Sequence, residues 1–488
     1  MKKKSVVIVI ISIVLIAILM ANKVFQNDTY YTIKVGESII KNGIDFKDHF
    51  AIHSLSYSYP HWLYDVVVYG VYKLFDFKGL YIFNIVIYIV LGLVFFFVNK
   101  SINKRMTVVS IMSILTMVMI NAYVVVRAQS ISFILFLLEI YCLRKLLDSD
   151  DKKYSIYLII ISIIICNVHV AVWPLYYILF LPYIVEYLLA KFKEKKIVKI
   201  LDKKLEIVKR KGIKKLFITL IVSLFTGLVS PLKDIPYTYF IRTFMGNSQS
   251  YIQEHKMSLG IGIITVSLIV VLGLIIIMIW RSKKKIRIVD IFMIVGLMIM
   301  AFMSKRHFSL FIILGMISVT GVIVRYLDKN NRIINDLVDS RVFLIIVILE
   351  VLMIGDIKFN YNIKNNYVDE KIYPVEGVKY LKDNYDVKKI RIFNEYNFGS
   401  YLLFKDIPVF IDSRADLYCK EFSGLSYDIF DDFMDINKGD IDKLNNYNID
   451  IVFIYSGKVL DNTLKSNYDY REVYRDNYFV IYENIGIE

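Results

Sequence analysis

Stretch after stretch of this chain is apolar over the length that a lipid bilayer demands. Ser5 to Ala21 is the first. Further runs of about 17–25 residues follow near 79–98, 107–126, 129–147, 154–171, 172–190, 215–231, 259–280, 287–304, 308–325 and 341–358. Hydrocarbon accepts such segments only as helices, because a helix satisfies its own backbone polar groups. The pattern predicts a polytopic α-helical membrane protein with about eleven transmembrane helices. Composition agrees: 57% of the 488 residues are hydrophobic, against about 45–50% in soluble globular chains.

Charge orients these runs. The connections "NKSINKR", "RKLLDSDDKK", "KFKEKKIVKILDKKLEIVKRKGIKK", "RSKKKIR" and "RYLDKNNRIINDLVDSR" are rich in Lys and Arg, which the positive-inside rule assigns to the cytoplasm. The opposite connections are short, except 22–78 and 232–258. Met1 to Lys4 is basic and the run after it has no A-x-A site, so it reads as an uncleaved anchor with a cytoplasmic N-terminus. An odd span count then leaves the C-terminal part outside. "HWLYDVVVYGVYKLF" (61–75) is short and carries His61, Asp65 and Lys73, so it reads as a helix at the outer interface. Tyr30 to Lys41 reads likewise, with a cap at Asn27-Asp28 and a stop at Asn42-Gly43. The basic stretch 191–214 reads as an amphipathic cytoplasmic helix on anionic lipid.

The composition changes after residue 358. From Asn360 onward there are 16 Lys/Arg against 23 Asp/Glu, although the whole chain carries a formal net charge of +15. The β-like runs "KIRIFN", "PVFID", "DIVFIY" and "YFVIYE" alternate there with helical patterns. The expected organisation is a transmembrane domain over 1–358, with 22–78 as its first outer loop, and a small extracytoplasmic α/β domain over 359–488. Basic membrane loops beside an acidic tail argue against nucleic acid as a partner and for anionic lipid. Cys142, Cys166 and Cys419 fit neither a disulfide framework nor a zinc site, and no P-loop, Rossmann fingerprint or metalloprotease signature occurs.

Polar exceptions gather at the outer ends of the runs: Arg127 and Gln129 in "VVVRAQS", Asn167 and His169 in "CNVHVAVW", Arg306 and His307 in "MSKRHFS". Arg127 and Arg306 break the topology rule that the other cations obey, and such exceptions are costly near hydrocarbon. Guanidinium and imidazole groups there suit an anionic headgroup, since Arg grips phosphate bidentately. The plainer reading is a set of snorkelling anchors. Asp28, just past the first run, is placed to take a proton from an attacking hydroxyl, or only to cap a helix. Glu37, Asp45, Asp48 and Asp65 are further carboxylates in the same loop. His49 and His53 have i, i+4 spacing but no third ligand, so no metal site is assigned. Glu139 and Glu350 are mid-run carboxylates of the kind found in proton-coupled transporters, expected to pair with groups such as Asn121 or Asn84.

"NDTYYTIKVGESIIKNGIDFKDHFAIHSLSYSYPHWLYD", together with "RAQS", "NVH" and "FIDSRADLY", resembles the bacterial GT-C-type membrane glycosyltransferases. These are the polyprenyl-phosphate-sugar-dependent superfamily that includes protein-mannosyltransferase-like and aminoarabinose-transferase-like enzymes, and a bacterial subgroup carries an extracytoplasmic C-terminal α/β domain. The resemblance implies a sugar donor on a polyprenyl phosphate, an extracytoplasmic acceptor (protein, lipid or envelope polymer), a cytoplasmic-membrane location and Asp28 as catalytic carboxylate. Better-understood members often have a second acidic residue close to the first. Here Thr29-Tyr30 follows Asp28, and a divalent metal stays open as a cofactor.

The resulting expectation is that Arg127, His169, Arg306 and His307 hold the donor phosphate. Glu37, His53, Trp62, Asp65, Gln129, Asn167, Asp412 and Arg414 would line the cavity or meet the acceptor. The alternatives are a transporter or flippase of a lipid-linked or anionic substrate, and a non-catalytic envelope-assembly protein.

Overall fold

The computed structural model describes residues 2–246, 262–327 and 340–486 and is mostly helical. His255, the connection over 328–339 and the start of the 259–280 run lie outside the described residues. The chain divides into two compact units. One comprises Met1–Asn22, Tyr81–Pro236 and Gln253–Lys364; the other comprises Lys23–Leu80, Tyr237–Ile252 and Asn365–Glu488. Most of the first outer loop therefore shares a unit with the C-terminal residues.

In the first unit the apolar runs are helices. Among the described residues, five are long and apolar enough to cross a bilayer: Trp62–Ile102, which begins in the other unit, Met106–Tyr123, Val170–Lys191, Ile263–Arg281 and Lys305–Leu327. Val6–Met20 and Ile288–Met303 are shorter apolar helices. Helix Met106–Ile120 shows how polar atoms are accommodated. Ser110, Ser113 and Thr116 each donate to the carbonyl four residues back, at 2.7–2.8 Å, so none of these three hydroxyls is left unbonded. Trp62–Ile102 is broken at Asp76 (φ 54°, ψ −158°), which separates the 61–75 segment from the apolar run beyond it.

The 191–214 stretch differs from the expected single helix. Between the flanking helices, which end at Lys191 and begin at Ile213, only Lys196–Asp202 is helical, and it is followed by β1 (Leu205–Glu206), which pairs in parallel with β2 (Ile286–Arg287). Clustered lysines oppose one long helix, and Arg210 is drawn instead to the buried Glu186 (2.8 Å) and to Asp148 (2.6 Å). Glu139 also differs. It is fully buried, and neither carboxyl oxygen has a hydrogen-bond partner among the described residues. Asn121 donates instead to the Met20 carbonyl (2.6 Å) and Asn84 to the Asn22 and Val124 carbonyls (3.4 Å each). A buried polar group left unbonded costs about 1–3 kcal/mol. Glu139→Leu is therefore expected to raise the melting temperature of the detergent-solubilised protein; a fall would show that the carboxyl has a stabilising partner.

The second unit is built on a four-stranded sheet of order β3-β4-β6-β5, comprising β3 (Ile392–Asn394), β4 (Ile451–Tyr455), β5 (Tyr470–Arg475) and β6 (Phe479–Asn484). β3 and β4 run parallel, and the other pairings are antiparallel. Phe398, Phe453 and Phe479 form its aromatic core, with ring centroids 5.3–6.4 Å apart. "PVFID" is not a strand of this sheet: Val409 makes an isolated parallel bridge to Ala51. The strand that charge concealed is β5, "YREVYR", an edge strand whose Arg471 and Glu472 are exposed.

Candidate functional site

Helix Asn27–Asn42 positions Asp28. Its average polarity predicts a surface helix, yet Tyr30, Ile33 and Val35 are almost wholly buried. The Tyr30 ring lies among Tyr373 (4.9 Å), Tyr401 (5.2 Å) and Phe404 (5.5 Å), and the Asn27 amide donates to the Tyr396 carbonyl at 2.9 Å. The N-cap is Gln26, not Asn27-Asp28, so Asp28 lies within the first helical turn. The stop is as expected: Gly43, at φ 76°, donates its N–H to Ile39. Gly36 lets a second helix approach, because a Cβ there would come within 2.7 Å of Tyr69 Cβ and closer still to the Asp65 backbone.

That approach brings together a relay of which the sequence pattern shows only His61 and Asp65. His61 Nδ1 faces both oxygens of the fully buried Asp65 at 2.8 and 3.0 Å, and the Tyr31 hydroxyl is 3.2 Å from His61 Nε2. With Nδ1–H donating to the carboxylate, Nε2 accepts from Tyr31. Tyr31 is three residues beyond Asp28, on the same helix face. The i, i+4 spacing of His61 and Asp65 was the available signal. Trp62, half-buried, opens the helix carrying Asp65, its N–H bonded to Tyr59.

Glu37 lines a cleft of about 310 Å3 together with Lys34, Lys41, His49, Lys388 and Asp406. Lys34 bridges Glu37 (2.6 Å) and Asp406 (2.7 Å), and Lys41 reaches Glu37 at 2.7 Å. Burial works against the Glu37 carboxylate, but the two ammonium groups outweigh it and hold its pKa below the usual range.

His53 donates from Nε2 to the Phe410 carbonyl (3.0 Å) and packs edge-on against Phe410 and Tyr447. Burial pushes its pKa down to about 4. The unfolded chain, with an ordinary imidazole near 6.5, binds more protons in the interval between, so stability rises with pH there and is complete above it. Acidification from pH 7 to 4.5 is expected to lower the melting temperature of the wild type more than that of His53→Gln. Equal losses would detach His53 from the acid response.

Asp412 and Arg414 are also buried and spend their polar atoms internally. Arg414 binds Asp412 (2.6 Å) and Asp48, between the rings of Phe50 and Tyr57, and Tyr418 donates to Asp412 at 2.6 Å.

In the first unit the polar exceptions sit where regular helix breaks. Short 3-10 turns occur at Asn121–Tyr123, Val170–Val172 and Lys305–His307, and a π turn follows at Phe311–Gly315. Arg127 is the N-cap of helix Ala128–Ser149. From the first turns of that helix, Gln129 donates to Ser309 (3.0 Å), whose hydroxyl in turn donates to the Arg306 carbonyl (2.8 Å). Ser132 contacts His169 Nδ1 at 3.0 Å. Asn167 returns its amide to the Ile163 carbonyl, and His307 faces the Met300 carbonyl at 3.2 Å. One helix start thus ties the "RAQS", "NVH" and "KRH" segments into a single neighbourhood. Asp28 belongs to the other unit.

No protein-family model matches the chain, and no curated protein sequence matches it. Solved structures do. Archaeal oligosaccharyltransferase AglB from Archaeoglobus fulgidus, in complex with an inhibitory peptide and a dolichol-phosphate, aligns at TM-score 0.63 and 9% identity over 93% of this chain and 70% of its own. ArnT from Cupriavidus metallidurans bound to undecaprenyl phosphate aligns at TM-score 0.57 and 8% identity over 99% of this chain and 97% of its own. Apo ArnT gives 0.58 at 9% identity over 99% and 98%. The chain thus shares the fold of these two proteins and, with its apolar helices, is a membrane protein.

Proposed function

We propose that this protein transfers a sugar from a polyprenyl-phosphate-linked donor to an acceptor outside the cytoplasmic membrane. The observation that carries the reading is the fold-level match, over nearly the whole chain, to proteins that hold dolichol-phosphate and undecaprenyl phosphate. About eleven spans, a cytoplasmic N-terminus and an extracytoplasmic C-terminal α/β domain complete the proposal.

In the transfer the acceptor oxygen bonds to the anomeric carbon while the carbon–oxygen bond to phosphate breaks, its electron pair leaving with the phosphate. Asp28 takes the hydroxyl proton. Arg127, His169, Arg306 and His307 meet charge that grows on the departing phosphate, a gain larger in the transition state than in the ground state. Arg127 caps a helix of 22 residues, whose first N–H groups and dipole add to the same field. Tyr31, His61 and Asp65, beginning one turn from Asp28, and the Glu37 cleft are the polar surfaces offered to an acceptor. The buried pair Asp412 and Arg414 supports these segments rather than touching substrate.

Arg127→Ala and Arg306→Ala are each expected to weaken binding of a polyprenyl-phosphate donor about tenfold or more, as one charge-assisted hydrogen bond is worth about 1.5–3 kcal/mol. Titration of purified protein with undecaprenyl phosphate reads this; unchanged affinity in both variants would reduce the arginines to anchors. The reading as a whole is tested by mass spectrometry of envelopes from a deletion strain, where a glycan present in the parent should be missing from protein, lipid or polymer. The unpartnered Glu139 is the one observation that favours a proton-coupled transporter instead. Under the transferase reading Glu139→Gln leaves sugar transfer intact.

A further inference from the structure

Lys34, Glu37, Ser38, Lys41 and Asn42 recur every three or four residues and so share one face of helix Asn27–Asn42. That face turns away from Asp28. Glu37 lies nine residues on, which is two and a half turns, or about 14 Å along the axis and on the opposite side. The cleft of about 310 Å3 therefore opens on a different side of the helix from the candidate base. All of its lining belongs to the second unit.

The charges along this face are coupled into a strip. Lys41 holds Glu37 (2.7 Å), Glu37 holds Lys34 (2.6 Å), and Lys34 reaches Asp406 (2.7 Å), 372 positions later in the chain. Asp406 sits at φ 60° just past helix Tyr396–Phe404, a conformation that Asp and Asn tolerate. The strip is fixed but open to a ligand: the side chains of Lys41 and Asp406 are 63% and 67% exposed. Phe50, Leu403 and Ile407 add an apolar part to the lining.

This combination selects by elimination. A lone anion entering the cleft would meet Glu37 and Asp406, and a lone cation would meet Lys34, Lys41 and Lys388. A wholly apolar ligand would strip water from the charged strip, at a cost. A hydroxyl suits both signs, since it donates to a carboxylate and accepts from an ammonium, each with the strength of a hydrogen bond to a charged group. The carbon-bound hydrogens of a sugar ring suit the apolar part.

We infer that this cleft binds one sugar or polyol unit of a glycan, with its hydroxyl groups on Glu37, Lys41 and Asp406 and its carbon skeleton against the apolar lining. Binding stands on its own; that the glycan is the acceptor rests on the transferase reading. In that role the cleft holds a unit other than the reacting one, because it faces away from Asp28. The acceptor is then a chain of several units and not a small alcohol.

The test uses the full-length protein in nanodiscs, without donor, read by saturation-transfer-difference NMR. The probes are glucose, galactose, N-acetylglucosamine and ribitol, with inorganic phosphate and triserine as the anionic and peptide alternatives. At least one of the four polyhydroxyl probes should bind saturably, and Glu37→Gln with Asp406→Asn should weaken it about tenfold or more. Asn42→Trp, which fills the cleft from an exposed position and keeps every charge of the strip, should do the same. Lys438→Gln breaks an exposed ion pair with Asp435 outside the cleft and should change nothing. The site is overturned if none of the four binds, if both cleft variants keep wild-type affinity, or if phosphate or triserine takes the cleft in their place. Melting temperatures are read alongside, and Asn42→Trp decides where the charge variant is unstable. Because no donor is present, failure here is separate from failure of the transferase reading, which the deletion strain reports.

Discussion

Asp28→Asn is expected to lower sugar transfer about 10²–10⁴-fold, the range that a positioned general base contributes, while leaving the protein folded and able to bind donor. The two consequences separate because they have different physical sizes. Asn is nearly isosteric with Asp, and the helix is held by the Tyr30 ring cluster and by Asn27, neither of which involves the Asp28 carboxylate. The attraction of that charge for the helix start, about 0.3–1 kcal/mol and screened by salt, is small beside the expected effect on transfer. What transfer loses is the only destination for the hydroxyl proton that the mechanism provides. The measurement is the turnover of a purified enzyme with a polyprenyl-phosphate sugar, beside its melting temperature and its affinity for undecaprenyl phosphate. A rate within tenfold of wild type would remove Asp28 as the base. Loss of function in Glu139→Gln with Asp28→Asn unaffected would favour the transporter reading.

The helices were legible because apolar length is a local property that a bilayer enforces residue by residue. What escaped the sequence reading depends on distant partners. Helix Asn27–Asn42 looks like a surface helix because half its residues are polar. It is buried because Tyr373, Tyr401 and Phe404, more than 340 positions away, close over Tyr30. "PVFID" has the composition of a strand but is taken up by the loop at Ala51, while "YREVYR" looks unlike a strand because its edge is exposed. The basic 191–214 stretch has helical composition, yet Glu186 and Asp148 draw Arg210 out of any continuous helix. At the candidate site, the cations near Arg127, His169 and Arg306 stood out as exceptions to a topology rule. The hydroxyl links through Ser309 and Ser132 did not, since a serine at a helix end is unremarkable in sequence. Tyr31 carries no local signal for the same reason: its relevance comes from His61, thirty residues on.

The largest stability loss is expected at Arg414. Its guanidinium is buried with Asp412 and with Asp48, which lies 366 positions earlier, and both carboxylates are themselves fully buried. Asp412 also accepts from Tyr418 and from the Arg414 backbone N–H (2.8 Å), so its lone pairs are committed in a fixed geometry. Removing the cation leaves two carboxylates together without a counter-charge, and breaking a buried pair in this way costs about 3–5 kcal/mol. The cation–π contacts with Phe50 and Tyr57, each worth about 2 kcal/mol in a desolvated setting, would be lost as well. Arg414→Ala is therefore expected to unfold the second unit or lower its melting temperature sharply, with increased proteolysis of the 44–60 segment that Asp48 anchors. Because the penalty comes from the stranded charges, replacing Asp48 and Asp412 by Asn in the same chain should recover much of the loss, whereas a residue engaged only by shape would show no such rescue. Thermal melts of the single and triple variants decide this: failure of the triple variant to recover would mean that packing of the guanidinium, and not charge pairing, holds this loop to the sheet-bearing part of its unit.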